Sequence, residues 1–303
     1  MKKRWILGTR GSKLALRQTE IVLQKLRSTY PDNEFIIKTI KTTGDKVWNK
    51  PLHLIGGKGL FIKEIEEKLL EKEIDMAVHS VKDLPAELET GLSMGAVLER
   101  GDPRDAFLSL TYNGLAETQD GSKIGTSSLR RKTQILNYNK TFEVVPLRGN
   151  IDTRIKKLKT EGLDGIILAC AGIKRLGFEK YIKEILPFHI MIPACGQGAI
   201  GIETRGEEDV QKLIAPLNDE KSFREVSIER TLLKKIGGGC HLPLGIHAAI
   251  AGDIVTLYIS MGGENGELSL HEQYTGKEEN THVLISEVFS KLKKHLTPIL
   301  SQK

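Results

Sequence analysis

The stretch IDMAVHSVKDLP, residues 74–85, leads from an apolar run into a polar turn. Its first half, Ile74–Val78, predicts a buried β-strand. Just before it, Ile62, Ile65 and Leu69 recur at i, i+3 and i+7, which is the spacing of an amphipathic helix. Because helix and strand alternate in this way through the first two thirds of the chain, we predict an α/β fold. Its sheet should be mostly parallel, with ligands bound beyond the carboxyl ends of the strands.

The same alternation continues on both sides of this stretch. Further strands are predicted at Trp5–Leu7, Phe35–Ile40, Lys123–Gly125, Phe142–Leu147 and Gly165–Ala169. Ser12 is a candidate N-cap for a first helix, and another helix is expected from about Ser128. The turn-rich segments 99–105 and 193–198 are typical of crossovers between two such units.

The pattern changes from about residue 219. A helix that carries Phe223, Val226 and Leu232 is expected to end at the triple glycine Gly237–Gly239. Alternating segments with glycine-rich turns follow and predict an antiparallel sheet, and a last amphipathic helix ends the chain. We therefore predict a small α+β domain at 219–303 that follows the α/β units.

Composition disfavours several classes of protein. The net charge is +6, but aromatic residues make up only 5% and the arginines stand at turns, which argues against a nucleic-acid-binding module. The N-terminal residues lack the apolar segment of a signal peptide, and no run is long enough to span a membrane. Cys170, Cys195 and Cys240 have neither zinc-ligand spacing nor an even count. We therefore predict no metal, a reduced chain and a cytoplasmic location.

Three turns place arginine at a glycine- or serine-rich corner. They are GTRGS at 8–12, GTSSLRR at 125–131 and LRGN at 147–150, with Arg154 one helical turn further on. Guanidinium groups bind carboxylate and phosphate through paired N–H donors, and helix N-termini add backbone donors. These turns therefore predict one ligand that carries several anionic groups.

Two residues are candidates for chemistry. Asp83 follows the strand predicted at 74–78. It is either a carboxylate that faces a cationic or N–H group, or a structural residue that caps a helix N-terminus or forms an ion pair. Cys240 directly follows Gly237–Gly239, so its thiol is either a nucleophile activated by nearby arginines or a structural thiol. His79 is expected to hydrogen-bond the backbone, and Cys170 to pack in the interior.

Taken in order, these motifs resemble the porphobilinogen deaminase (hydroxymethylbilane synthase) family. The matching motifs extend over nearly the whole chain: TRGS at 9–12, GGKGLF at 56–61, HSVKDLP at 79–85, DPRDAF at 102–107, GTSSLRR at 125–131, LRGN at 147–150, GQGA at 196–199 and GGC at 238–240. No single motif decides the resemblance, but the ordered set is very specific.

The resemblance implies a fold, a cofactor and a reaction. The first two domains look like the lobes of type II periplasmic binding proteins, with mixed and mostly parallel sheets, and the third like a small α+β domain with a three-stranded antiparallel sheet. Members of the family carry a dipyrromethane cofactor on a thioether, which by motif falls on Cys240. The implied reaction joins four porphobilinogen molecules head to tail with loss of ammonia and releases hydroxymethylbilane for haem biosynthesis. The resemblance also suggests a monomer.

The resemblance further implies roles for residues of this sequence. Asp83 is the implied catalytic residue, which stabilises the positive charge that forms when ammonia leaves. The implied cofactor-binding residues are Cys240, Asp83, Lys82, Ser80, Thr126, Ser128, Arg130, Arg131, Arg148 and Gly149. The implied substrate-binding residues are Arg10, Ser12, Arg148, Arg154, Arg175, Gln197, Lys58 and Phe61. The last two lie in the aperiodic segment 42–61, which is either an active-site lid or a surface loop.

A rival hypothesis explains the same arginine turns without catalysis. In a non-enzymatic, two-lobed anion-binding protein the arginines would only retain the ligand, and Cys240 would be a free thiol. Release of ammonia from porphobilinogen separates the two hypotheses.

Overall fold

The computed structural model describes residues 3–43, 62–237, 242–263 and 267–300, with side chains described as far as residue 295. The chain divides into two compact units, Met1–Gly101 with Ala199–Arg224 and Asp102–Gly198 with Glu225–Lys303. Strands and helices are numbered below along the whole chain.

The first unit is built on a five-stranded sheet. Its strands are β1 (Arg4–Arg10), β2 (Glu34–Ile40), β3 (Met76–Ser80), β4 (Ser93–Val97) and β10 (Ile200–Thr204). They lie in the order β2-β1-β3-β10-β4, and β10 runs antiparallel to both of its neighbours while the other pairs are parallel. The helices of this unit include α1 (Lys13–Thr29), α2 (Lys63–Leu70) and α6 (Glu208–Ile214).

Helix α1 begins where the sequence predicts. The Ser12 hydroxyl accepts a hydrogen bond from the Ala15 N–H at 3.2 Å, which satisfies a backbone donor that the first turn leaves unpaired. One face of the helix buries Val22 and Leu26 in a core shared with Leu7 of β1. Burying such a side chain contributes about 1.5–3 kcal/mol, so this face holds the helix against the sheet.

The second unit contains a sheet with the same strand order. Its strands are β5 (Asp105–Leu108), β6 (Lys123–Gly125), β7 (Glu143–Val145), β8 (Gly165–Ala169) and β9 (Ile182–Ile185), and its helices include α3 (Leu129–Tyr138), α4 (Ile151–Thr160) and α5 (Cys170–Arg175). The order is β7-β6-β8-β5-β9, and β5 runs antiparallel to both of its neighbours. In each sheet the antiparallel strand is the one that directly follows a predicted crossover segment, β5 after 99–105 and β10 after 193–198. This confirms the prediction of two α/β lobes with mixed, mostly parallel sheets.

The rest of the second unit is the small α+β part that the sequence predicts. Strands β11 (Leu244–Ala251), β12 (Ile254–Gly262) and β13 (Leu268–Lys277) form a three-stranded antiparallel sheet, with α7 (Glu220–Ile236) before it and α8 (Thr281–Leu300) after it. Helix α7 ends at Gly237, whose φ of +93° suits glycine. None of the helices in the described ranges is long and apolar enough to cross a membrane.

Candidate active site

The carboxyl end of β3 leads into one 3-10 turn, Val81–Asp83. The Val81 N–H donates to the Ala199 carbonyl at 3.2 Å and the Leu84 N–H donates to the Val81 carbonyl at 3.0 Å, so backbone bonds hold both sides of the turn. Val81 and Leu84 are buried, whereas Asp83 is exposed. No described helix begins at Asp83, so the N-cap alternative is wrong and Asp83 presents an accessible carboxylate.

The first arginine turn lies at the same edge of the first sheet as Asp83. Strand β1 runs parallel to β3 with Leu7 opposite Met76, so Arg10 and Ser80, which end the two strands, come to one edge. Arg10 and Lys82 are half-buried there. The Ser80 hydroxyl is hydrogen-bonded by the Gln18 amide of α1 at 2.8 Å, and Ser12 caps that same helix, so both hydroxyls have local structural partners.

His79 is buried, as expected, but its partner is not the one predicted from the sequence. Its Nε2 lies 3.0 Å from Oε2 of Glu203 on β10, and both side chains are almost fully enclosed. The sequence pattern could not show this contact, because the two residues are 124 positions apart.

In the second unit, the arginines of GTSSLRR converge on one buried carboxylate. Arg130 Nη1 donates to Asp105 Oδ2 at 2.8 Å and to the Ile192 carbonyl at 2.8 Å. Arg131 donates to Asp105 Oδ1 from Nη2 at 2.7 Å and from Nε at 3.1 Å, and its Nη1 donates to the Ile167 carbonyl at 3.0 Å. Several donors of these two guanidinium groups are therefore used within the chain.

Gln197 belongs to the same buried network. Its Nε2 donates to Asp105 Oδ1 at 3.0 Å and to the Pro103 carbonyl at 2.8 Å, and its side chain is buried. Burial alone would raise the pKa of the Asp105 carboxyl, but the charges of Arg130 and Arg131 outweigh it and hold that pKa well below its usual range. Asp105 therefore stays ionised and fixes the arginine pair.

A second set of cations in this unit lies around Arg154. Burial, followed by the charges of Arg131 and Arg148, lowers the pKa of Arg154 to about 10. Arg154 Nε donates to the Gly149 carbonyl at 2.7 Å, and the φ of Gly149 is +112°, a backbone conformation that favours glycine. The structure thus brings Arg131, Arg148 and Arg154 together as a cationic cluster, to which an anionic ligand would be attracted.

The remaining residues predicted for the second unit lie around helix N-termini and a turn. Ser128 caps α3 by accepting from the Arg131 N–H, and the Thr126 N–H donates to the Val145 carbonyl at 2.9 Å. Arg175 Nη2 donates to the Gly198 carbonyl at 2.5 Å, and burial lowers the pKa of Arg175 to about 10.

Three predicted site residues, Lys58, Phe61 and Cys240, lie outside the described residues. Of the other cysteines, Cys170 is fully buried as predicted, and Cys195 is half-buried against the core of the C-terminal part. Among the residues that the structure describes, no group of His, Cys, Asp and Glu is arranged to hold a metal ion.

Sequence reasoning missed the buried acids of the two lobes. Asp105 stood inside the motif DPRDAF, and an aspartate in a short apolar strand was a signal that it needed a cationic partner. Glu203 stood in the apolar segment Ile200–Glu203 and gave the same signal. In both cases the partner could be identified only once the fold was known.

The residues of the second unit fit a dipyrromethane group. Pyrroles that carry acetate and propionate side chains present several carboxylates, and the cationic cluster supplies guanidinium donors of the complementary charge. Burial and then the charges of Arg131 and Arg148 lower the pKa of Arg154, and an anionic ligand beside this arginine would act in the opposite direction.

Comparison with known proteins gives the same assignment over most of the chain. A family model described as "Porphobilinogen deaminase, dipyromethane cofactor binding domain" matches residues 5–212, and one described as "Porphobilinogen deaminase, C-terminal domain" matches residues 223–293. The porphobilinogen deaminase of Syntrophomonas wolfei is 49% identical over 274 residues, which cover 90% of this chain and 88% of that protein. That of Syntrophus aciditrophicus is 44% identical over 287 residues, or 94% of each.

Likeness to solved structures is weaker. The methionine-binding protein MetQ superimposes with a TM-score of 0.46 at 13% identity, over 75% of this chain and 95% of that chain, which is too little to support an argument. The two family models and the similarity to the two deaminases are much stronger, and they show that the chain belongs to the porphobilinogen deaminase family.

Proposed function

We propose that the chain joins four porphobilinogen molecules head to tail on a covalently bound dipyrromethane, loses one ammonia for each, and releases hydroxymethylbilane by hydrolysis. This is the transferase reaction of a hydroxymethylbilane synthase. The observation that carries the proposal is the cluster of Arg131, Arg148 and Arg154, which lies within the segment matched by the cofactor-binding family model. The bound dipyrromethane would supply the pyrrole α-carbon to which the first substrate is joined.

The arginines account for binding in this proposal. Each porphobilinogen carries an acetate and a propionate, so the growing chain gains negative charge with every unit. A hydrogen bond to a charged group contributes roughly 1.5–3 kcal/mol, so a few guanidinium contacts suffice to retain it. Arg148, Arg154 and Arg175 have this role, together with Arg10 in the first unit. We assign a structural role as well to Arg130, Arg131 and Gln197, because all three donate hydrogen bonds to Asp105.

Asp83 accounts for catalysis. When ammonia leaves porphobilinogen, a positive charge develops on the pyrrole, and a preorganised carboxylate stabilises that charge more in the transition state than in the ground state. The exposed Asp83 carboxylate, held by the backbone bonds of its turn, meets this requirement. Ser80, Lys82, Thr126, Ser128 and Gly149 would complete the cofactor-binding residues.

The parts that fall outside the described residues stay predictions. They are the thioether at Cys240 and a lid that carries Lys58 and Phe61. The division into three domains, at 1–98 with 199–216, 103–192 and 219–303, is proposed on the family resemblance, as are a monomeric state and a cytoplasmic location.

Asp83→Asn tests the proposed mechanism. We expect it to keep the fold and the bound dipyrromethane but to lower porphobilinogen turnover about a hundredfold or more, because the neutral amide cannot stabilise the developing cation. Ammonia release is the measurement, and Asp32→Asn, an exposed aspartate of the same unit, is the control. Near-normal turnover in Asp83→Asn would remove Asp83 from the mechanism. A wild-type chain that binds porphobilinogen but releases no ammonia would support the anion-binding rival.

A further inference from the structure

The proposed reaction leaves one buried amide of α3 without a role. Gln134 lies one helical turn after Arg130, and its side chain is 1% exposed. A buried amide costs free energy unless its donors and its acceptor are paired, so the partners of Gln134 show what this residue holds in place.

Gln134 forms a two-way contact with the backbone of Ile192. Its Oε1 accepts from the Ile192 N–H at 2.7 Å, and its Nε2 donates to the Ile192 carbonyl at 3.0 Å. The same Nε2 donates to the Arg130 carbonyl of the preceding turn at 3.3 Å. Because the acceptor and the donor of one amide both bind Ile192, Gln134 fixes the position and the orientation of that stretch of backbone.

The Ile192 carbonyl is also a partner of the Arg130 side chain, one of the proposed cofactor-binding residues. Arg130 Nη1 donates to this carbonyl at 2.8 Å and to Asp105 Oδ2 at 2.8 Å. One guanidinium nitrogen is therefore held between a backbone carbonyl and a carboxylate. Among the residues that the structure describes, Nε and Nη2 of Arg130 make no hydrogen bond, so their N–H groups are left for a carboxylate of the ligand.

The C-terminal part of the same unit binds the segment 192–193 as well. The Ile246 N–H of β11 donates to the Pro193 carbonyl at 2.9 Å. Next to it on β11 is Gly245, where a Cβ atom would come within 2.7 Å of the Ile192 carbonyl oxygen, so glycine permits the close approach. The segment therefore lies between β11 and α3, and Gln134 binds it from the helix side.

We propose that Gln134 is a positioning residue for Arg130, an inference that rests on the proposed function. It acts through the Ile192 carbonyl, which holds Nη1 of Arg130 together with Asp105. Without Gln134, this carbonyl and the guanidinium group are free to shift, and the place where Arg130 would hold a cofactor carboxylate shifts with them. Small misplacements of a reacting group lower the rate strongly, up to about a hundredfold for roughly 1 Å.

The test compares Gln134→Met with the wild type in full-length protein loaded with its cofactor. Methionine is close to glutamine in length and volume but offers neither its donors nor its acceptor, so the change removes the contact with Ile192 and leaves the packing. We expect kcat for porphobilinogen to fall roughly tenfold with KM changed by less than about threefold, since a displaced Arg130 misplaces the cofactor and not the substrate. Asn137→Met, which replaces an exposed amide on the same helix, is the matched control and should change neither constant.

A second comparison separates positioning from a purely structural role. When Gln134→Met is added to Arg130→Gln, we expect kcat to fall by less than about twofold further, because the arginine through which Gln134 acts is gone. A residue that only stabilises the fold would cause the same relative loss of kcat in both backgrounds. Thermal unfolding of the wild type, the two single variants and the double variant checks that each is folded at the temperature of the assay.

Hydrogen exchange at the Ile192 amide tests the contact independently of activity. The Ile192 N–H should exchange at least about tenfold faster in Gln134→Met than in the wild type or in Asn137→Met, because it loses its acceptor. A wild-type kcat in Gln134→Met, an equal loss of kcat in the Arg130→Gln background, or unchanged exchange at Ile192 would each overturn the inference. A wild-type chain that releases no ammonia would instead overturn the proposed function, while the exchange rates would still decide whether Gln134 holds Ile192.

Discussion

The two lobes share a strand order, yet the buried acids on their reversed strands have different partners. In the second unit, β5 carries Asp105, and in the first unit β10 carries Glu203, and both side chains are 0% exposed. Asp105 accepts from two guanidinium groups and an amide. Glu203 has one imidazole as its partner and one oxygen left without a hydrogen bond among the described residues.

The difference shows that the same strand order can place a buried acid beside two guanidinium groups or beside a single imidazole. Paired with two cations, Asp105 has a lowered pKa and remains ionised over the physiological range. In the first unit, burial and then the charge of Glu203 raise the pKa of Glu66 to about 7. The strand order determines where a buried acid lies, and the elements packed against its strand determine which partners it has.

The largest effect is expected from Asp105→Asn. This change removes the anion between Arg130 and Arg131 and leaves two buried cations side by side, so the free energy of unfolding should fall by about 3–5 kcal/mol. Chemical denaturation measures the loss. Asp102→Asn is the control, because its partner Arg104 is partly exposed, and we expect less than about 1 kcal/mol there. Equal losses of unfolding free energy in the two variants would contradict the view that Asp105 stabilises the second lobe by pairing with Arg130 and Arg131.

A smaller effect, of opposite sign, is expected from Glu66→Gln. The pKa of Glu66 is about 7 in the folded chain and lies near 4.5 when unperturbed, so between these values the folded state binds the extra proton. Wild-type stability should therefore fall as pH rises through this window, whereas the Gln variant lacks this dependence. At about pH 8 the variant should be more stable than the wild type by on the order of 2 kcal/mol, and near pH 4 the two should agree.

Thermal unfolding of Glu66→Gln and the wild type across that pH range checks the sign. Glu67→Gln should follow the wild-type curve. If the stabilities of Glu66→Gln and the wild type change with pH in parallel, Glu66 does not retain a proton in the folded chain. The proposed contrast between the two lobes would then be wrong.

The smallest change in stability is expected from Arg154→Gln. Arg154 is half-buried near Arg131 and Arg148, and among the described residues its side chain donates to the Gly149 carbonyl and not to a carboxylate. Its removal should therefore alter the free energy of unfolding by less than about 1 kcal/mol. The same variant should raise KM for porphobilinogen roughly tenfold, since one charge-assisted contact is lost. Lys157→Gln is the control, because Lys157 lies on the same helix as Arg154 and loses only a partly exposed pair with Glu161, the residue that follows the helix. A large loss of stability in Arg154→Gln would show that this arginine, like Arg130, is structural.

Local patterns predicted the elements, and long-range contacts determined what the sequence left open. The cap at Ser12 and the helix end at Gly237 depend on neighbouring residues and were predicted correctly. Strand β3 begins at Met76 rather than Ile74, because the Asp75 N–H donates to the Ile6 carbonyl and its carboxylate accepts from the Ile6 N–H.

For the site, the sequence indicated which residues carry charge but not which of them form ion pairs with one another. Arg130 and Arg131 were predicted as ligand-binding residues, and their contact with Asp105 required the pairing of β5 with β8 in the middle of the sheet. The contact of His79 with Glu203 depends on the pairing of β3 with β10, and these two residues are 124 positions apart, so no local periodicity shows it.

We propose that this chain builds a tetrapyrrole on a dipyrromethane bound to Cys240, and the intact mass of the protein is the simplest check of that proposal. Made in cells that synthesise porphobilinogen, the wild type and Cys195→Ser should be heavier than their sequences by one dipyrromethane, and Cys240→Ser should match its sequence mass. A wild-type chain at its bare sequence mass, or an adduct that persists in Cys240→Ser, would contradict the account.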